Sequence, residues 1–144
     1  MPSGLPEGYE LDDDPGRIDV DAVHRFVTEA YWAKGRSRQV VAAAIAGSAR
    51  VVGLYHHGEQ VGFARVVSDG QVIAYLADVY VLEEHRGHGL GQAVVQAAVE
   101  GSDLRRCRWL LQTSGSQTLY ERFGFASLTD GRVMGRPAPS APAH

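Results

Sequence analysis

The sequence predicts an α/β (α+β) domain, a mixed sheet with helices packed on it, in the order β-α-α-β-β-β-α-β-α-β-β. Three observations predict it. The middle of the chain, from Arg50 to Leu82, reads as strands joined by short Gly-containing turns. The apolar period then lengthens to that of a helix from Leu90 onward. Between the two regimes stands the glycine-rich run Arg86-Gly87-His88-Gly89-Leu90-Gly91.

The elements follow in order. Tyr9 and Leu11 suit a short first strand, ended by the acidic turn Asp12-Asp13-Asp14-Pro15-Gly16. Asp21 is the expected N-cap of a helix carrying Val23, Phe26, Val27, Ala30 and Tyr31 on one face, closed by Gly35. A second helix is expected from Arg38 to Ala46, with Val40, Val41, Ala44 and Ile45 inward and Gly47 as its stop. Arg50 to His56 and Gln60 to Ser68 form a hairpin, and Asp69-Gly70 leads to a third strand, Val72 to Leu82. That strand's run Val72 to Ala77 is apolar enough for cover on both faces. Leu90, Val94, Ala97, Ala98 and Val99 mark an amphipathic helix, with Gln92, Gln96 and Glu100 outside. Trp109 to Gln112 reads as a short buried strand, and Leu119, Tyr120 and Phe123 as a short helix ended by Gly124. Phe125 to Thr129 and Arg132 to Met134 are expected to form a last hairpin across Asp130-Gly131. Residues 1–135 are expected to make one domain, and 136–144, rich in Pro, Ala and Ser, a disordered tail.

Composition narrows the function. A chain of 144 residues is the usual size of one domain. A net charge of -3 gives no general electrostatic case for nucleic acid or anionic lipid, and the short run Arg105, Arg106, Arg108 reads as a solvated face. Cys107 is the only cysteine, so no disulfide can form within the chain; its apolar neighbours suit a core position rather than a nucleophile. No apolar run approaches the roughly 20 residues that cross a bilayer, and Met1 to Glu7 lacks the pattern of a secretory leader, so a cytoplasmic location is expected.

Glycines 87, 89 and 91 let backbone N–H groups turn toward one point and let a ligand approach closely, and the following helix adds its positive dipole end. This is a site for a phosphate or pyrophosphate, to which Arg86 adds a fixed charge. A P-loop is excluded because Gln92 and Ala93 stand where Lys and Ser or Thr are needed. A dinucleotide fingerprint is excluded because Gln92 replaces its third Gly and no acid follows near Leu111-Gln112-Thr113.

Arg86-x-x-Gly89-x-Gly91, following a strand that ends Val79-Tyr80-Val81, resembles the central motif of the GCN5-related N-acetyltransferases (GNAT). The later run Leu119-Tyr120-Glu121-Arg122-Phe123-Gly124-Phe125 resembles that family's second recognition element. The resemblance extends from about Tyr9 to Met134 and implies a mostly antiparallel sheet flanked by helices. It implies that the backbone of Val79, Tyr80 and Val81 holds the acetyl carbonyl and pantetheine arm of acetyl-CoA. It further implies that the backbone amides of Gly87, His88, Gly89, Leu90, Gly91 and Gln92 hold the pyrophosphate. The reaction implied is direct attack of an amine on the thioester, with no acyl-enzyme; from the residues themselves, no metal site is expected.

Direct transfer needs the amine to lose a proton and the departing thiolate to gain one. Tyr120 matches the family tyrosine that serves as general acid; its other reading is a packing residue. Asp78, an acid within an apolar strand, is the candidate for attracting the amine and accepting its proton, unless a neighbouring Arg or Tyr satisfies it. Glu83 and Glu84 are next in line. The strand Tyr75 to Val81 is similar to that of diamine N-acetyltransferases, which carry two adjacent acids where this chain has Ala77-Asp78. Ser114 or Ser116 replaces the asparagine that many members use to bind the cofactor arm, or caps the helix. Tyr31 and Trp32, with Lys34, fall where the acceptor pocket is bordered in the family. His56 and His57, adjacent in a strand, are expected to point to opposite faces, and His85 and His88 to flank the phosphate turn at the surface. The implied partner is a small-molecule or peptide amine, and members are often homodimers. Two rival functions stay open: a non-catalytic coenzyme A sensor, and an acyltransferase for a longer acyl donor.

Overall fold

The computed structural model describes residues 4–30 and 35–139. Its elements are β1 (Tyr9–Asp12), α1 (Val20–Glu29), α2 (Arg38–Ala46), β2 (Arg50–His56), β3 (Glu59–Ser68), β4 (Ile73–Val81), α3 (Leu90–Glu100), β5 (Arg108–Leu111) and α4 (Gln117–Glu121). The strands form one sheet in the order β1-β2-β3-β4-β5. Neighbours are antiparallel except β4 and β5, which run parallel. The parallel pair is joined by a crossover containing α3, as a parallel connection requires.

Each face of the sheet is covered. On one, α3 lays Leu90, Val94, Val95, Ala97 and Ala98 against Val52, Leu54, Ala64, Val66, Ala74 and Leu76. On the other, Val23 and Val27 of α1 and Val41 and Ile45 of α2 meet Val51, Phe63 and Tyr80. Completely buried branched and aromatic side chains such as Phe63, Leu54 and Val95 contribute about 1.5–3 kcal/mol each by leaving water.

Several expectations are corrected. Helix α1 begins earlier: Asp19 is its N-cap, its carboxylate accepting from the Ala22 N–H at 3.0 Å. Asp21 lies in the first turn and pairs with Arg38 of α2. The helix ends at Glu29, with Ala30 already extended, so Gly35 does not close it. Val40 is half exposed, because Val41 and Ile45 alone fill the inward stripe. β4 is covered less completely than its apolar run suggests, with Val72 left outside the strand at 68% exposure. β5 is only half-buried, being the end strand of the sheet. The last hairpin is absent: no strand follows α4 among the described residues, and 126–139 are all exposed.

One irregularity positions the site. β3 and β4 pair Phe63 with Tyr80 but Arg65 with Ala77, so two residues of β4, Asp78 and Val79, fit opposite Ala64. Asp78 takes up the extra residue at φ 54°, in the left-handed region. This β-bulge reverses the alternation of the strand. Leu76 and Val79, three apart, both join the α3 side, while Asp78 turns toward Arg65 on the other face.

Candidate active site

β4 and β5 pair only from Ile73 with Arg108 to Leu76 with Leu111. Beyond that point β4 continues beside β3, and β5 gives way to the loop Gln112 to Ser116. The strands therefore part, and a cleft of about 1000 Å³ opens between them. The cleft is bounded by Leu76 to Val81 on one side and by Leu111 to Ser116 with Leu119 and Tyr120 on the other.

One end closes on the glycine turn, where Arg86, Gly87, Gly89, Leu90 and Gly91 line the cleft. Gly87 and Gly89 adopt φ 89° and 72°, and Gly89 is the N-cap of α3. A Cβ on any of the three glycines would meet no protein atom within 4 Å, so the space above them is open to a ligand. The first turn of α3 carries no acid to cancel its dipole. Leu90 is buried and anchors the turn. Arg86 donates from Nε to the Val81 carbonyl at 2.9 Å, which fixes its guanidinium between the strand end and the turn. Within the turn, His88 and Gln92 do not line the cleft, and the Gln92 side chain accepts from Arg122 at 2.9 Å.

The other end holds the Asp78 carboxylate, 6% exposed. It is not a lone acid: its Oδ2 accepts from Arg65 Nε at 2.7 Å and from Arg36 Nη1 at 3.0 Å. Burial by itself would raise this carboxyl group, but the Arg65 and Arg36 guanidiniums outweigh it and hold the pKa below the usual aspartate range. Phe26, Arg36, Arg65 and Tyr75 line this end. Phe26 stacks on Tyr80 with ring centroids 3.9 Å apart, so Tyr80 offers the cleft its backbone while its phenol is buried and pushed up to about 12. Sequence reasoning passed over Arg36, Arg65, Phe26 and Tyr75. Arg65, a cation inside the apolar run Val61 to Val67, was the available signal. Tyr31, Trp32 and Lys34 lie outside the described residues.

Tyr120 projects from α4 and lines the cleft opposite β4. Gly124, at φ 88°, lets the chain fold back so that Phe125 N–H reaches the Tyr120 carbonyl at 3.3 Å and its ring packs edge-on to Tyr120. Burial raises the phenol pKa, so the hydroxyl keeps its proton at neutral pH. Ser114 and Ser116 line the cleft as well. Ser116 holds the N-cap position of α4 without a side-chain cap bond.

His56 and His57 do not diverge. His57 leaves the strand at φ 49°, which brings its ring within 4.2 Å of His56, and His85 joins them through Tyr9. No group of three or more His, Cys, Asp or Glu among the described residues is disposed to hold a metal ion. Glu83 and Glu84 are exposed and do not line the cleft. Among the described residues no helix is long and apolar enough to cross a membrane.

Parted strands, a glycine turn at a helix N-terminus and a tyrosine on the opposite wall make up the cleft, and comparison with known proteins gives its family. The model of the acetyltransferase (GNAT) domain matches residues 47–127, more than half of the chain. The chain belongs to the GNAT acetyltransferase family. A protein of Xanthomonas campestris pv. campestris ascribed to that family superimposes with a TM-score of 0.87 and 37% identity, over 94% of this chain and 96% of that one. A GCN5-related N-acetyltransferase from Ralstonia eutropha JMP134 shares the fold, with a TM-score of 0.68 and 20% identity over 91% of this chain and 99% of that one. A candidate acetyltransferase of Gibberella zeae is 30% identical over 61% of this chain, which spans 60% of that relative's length.

Proposed function

We propose that the protein transfers an acetyl group from acetyl-CoA directly to an amine, with residues 1–135 as the catalytic unit. The observation that carries this reading is the cleft between the parted strands, running from the α3 N-terminus to the Asp78 bulge past Tyr120. The open glycine turn suits a pyrophosphate, with Arg86 beside it. The interrupted pairing at Asp78 and Val79 suits backbone contact with the thioester and pantetheine arm. Ser114 sits on the wall that would face that arm.

In this reading the amine nitrogen attacks the thioester carbonyl carbon, the C–S bond breaks, and the thiolate takes the proton of the Tyr120 hydroxyl, which solvent then restores. The proton on the amine leaves to water. Asp78 is not given the role of base, since a carboxylate lowered by two guanidiniums is a weak proton acceptor. The test is thiol release from acetyl, propionyl and succinyl donors with a panel of amines. Tyr120→Phe is expected to lower kcat by about 10²-fold or more, with coenzyme A affinity nearly unchanged. An unchanged kcat on the preferred acceptor would leave Tyr120 a packing residue. Coenzyme A binding with no turnover of any donor would instead favour a sensor.

A further inference from the structure

We propose that the acceptor is an amine that also carries a carboxylate, bound by the guanidinium groups of Arg36 and Arg65 at the Asp78 end of the cleft. The proposal rests on the acetyl-transfer reading above and names the substrate class for that same site.

The charge at this end is unbalanced. Arg36 and Arg65 line it, and Asp78 is the sole acid along the cleft wall among the described residues. One positive charge is therefore in excess. The undescribed stretch 31–34, Tyr-Trp-Ala-Lys, contains no acid to cancel it. The donors are also unbalanced. Arg36 uses Nη1 and Arg65 uses Nε, and both reach the same oxygen, Asp78 Oδ2. Among the described residues neither guanidinium has another hydrogen-bonded partner, although each carries five N–H groups.

Both side chains line the cleft and are only 25% and 15% exposed, so their guanidinium groups are largely withdrawn from open water. Partly desolvated guanidinium donors of this kind bind a carboxylate strongly and in a fixed plane. Asp78 holds the pair in place: it tethers both guanidiniums while neutralising only one. The site also disfavours rivals. A diamine or polyamine would bring further cations to a cationic end, and an uncharged amine would leave the donors unpaired.

The experiment compares matched acceptors on the wild-type protein: phenylalanine, leucine and methionine, each beside its amide and its decarboxylated amine. Thiol release from acetyl-CoA is measured and normalised to the fraction of neutral amine. Calorimetry reports coenzyme A binding in parallel. The acids are expected to exceed both counterparts in kcat/KM by at least about tenfold, the effect of about 1.4 kcal/mol. Arg65→Gln and, independently, the more exposed Arg36→Gln are expected to raise KM for the acids about tenfold more than KM for the matched amides, with coenzyme A affinity retained. The wild-type comparison stands even if one variant fails to fold. Equal or better use of the amides or decarboxylated amines overturns the inference and leaves acetyl transfer intact. Transfer to none of these compounds by a protein that binds coenzyme A overturns it as well. A wild-type protein that does not bind coenzyme A defeats the underlying reading, and this one with it.

Discussion

Asp78 combines a left-handed backbone, a buried carboxylate and, among the described residues, ion pairs with Arg36 and Arg65. Asn tolerates the same backbone region, so Asp78→Asn removes the charge without straining the bulge. Because the folded-state pKa is depressed, the stability from Asp78 is present above the ordinary aspartate pKa, about 4. It is lost as pH falls through the lower folded value. Asp78→Asn is expected to cost about 3–5 kcal/mol at pH 7, the usual effect of breaking a buried ion pair, by leaving two guanidiniums uncompensated. The gap from wild type should close below about pH 4 in denaturant titrations. As a positioning residue, Asp78 should affect KM for the acceptor more than kcat, with the shape of the pH–rate profile retained. A variant whose kcat collapses at neutral pH and recovers in alkali would restore Asp78 as the base. The sequence showed that this acid was unusual. Its partners were hidden, because Arg36 is 42 residues distant and Arg65 meets it only through a bulge that no local pattern announces.

At the scale of elements, what was legible depended on how local the signal was. α2 and β2 have the expected limits because periodicity and turn glycines act within a few residues. The glycine turn and the Tyr120 helix were readable for the same reason, each being a short run with its own chemistry. The start of α1 was misplaced because two aspartates, Asp19 and Asp21, compete for the cap, and the choice depends on which backbone N–H is in reach. The α3 N-terminus offers a cleaner test of the binding cleft than its left-handed glycines. Gly89 at φ 72° would be strained by any side chain, whereas Gly91 has no positive φ and an open space at its Cβ. Valine is the better helix former than glycine. Gly91→Val is therefore expected to keep the wild-type melting temperature or raise it slightly, while its methyl groups weaken coenzyme A binding at least tenfold by calorimetry. Undiminished affinity would place the pyrophosphate elsewhere.

The whole molecule is a sheet with a core on each face, and both cores are complete before the chain ends. Among the described residues β5 is the last strand, and only its β4 side is paired. The expected final hairpin would have covered its other edge. Its sequence does alternate, but a strand is held by its neighbours, and alternation alone cannot say whether a neighbour is in register. Leu128 and Val133 instead run beside a second cleft with Trp109, Phe123 and Phe125, and both remain more than half exposed. The last residue of this region with a backbone–backbone hydrogen bond is Phe125, which donates to the Tyr120 carbonyl. Hydrogen exchange should therefore separate the chain sharply. Amides of 126–139 should exchange at nearly the rate of an unstructured peptide, because local opening there breaks no ladder. The buried strands β2, β3 and β4 should be protected up to the global stability. Since β4, α3 and α4 line the cleft upstream of this segment, adding coenzyme A should slow exchange around Val79 to Gln92 and Tyr120 and leave 126–139 unaffected. Slow exchange across 126–134 in the free protein would mean that these residues pair with the β5 edge after all, in the same chain or in a second copy. Concentration dependence of the protection would tell the two apart, because only pairing between copies responds to dilution.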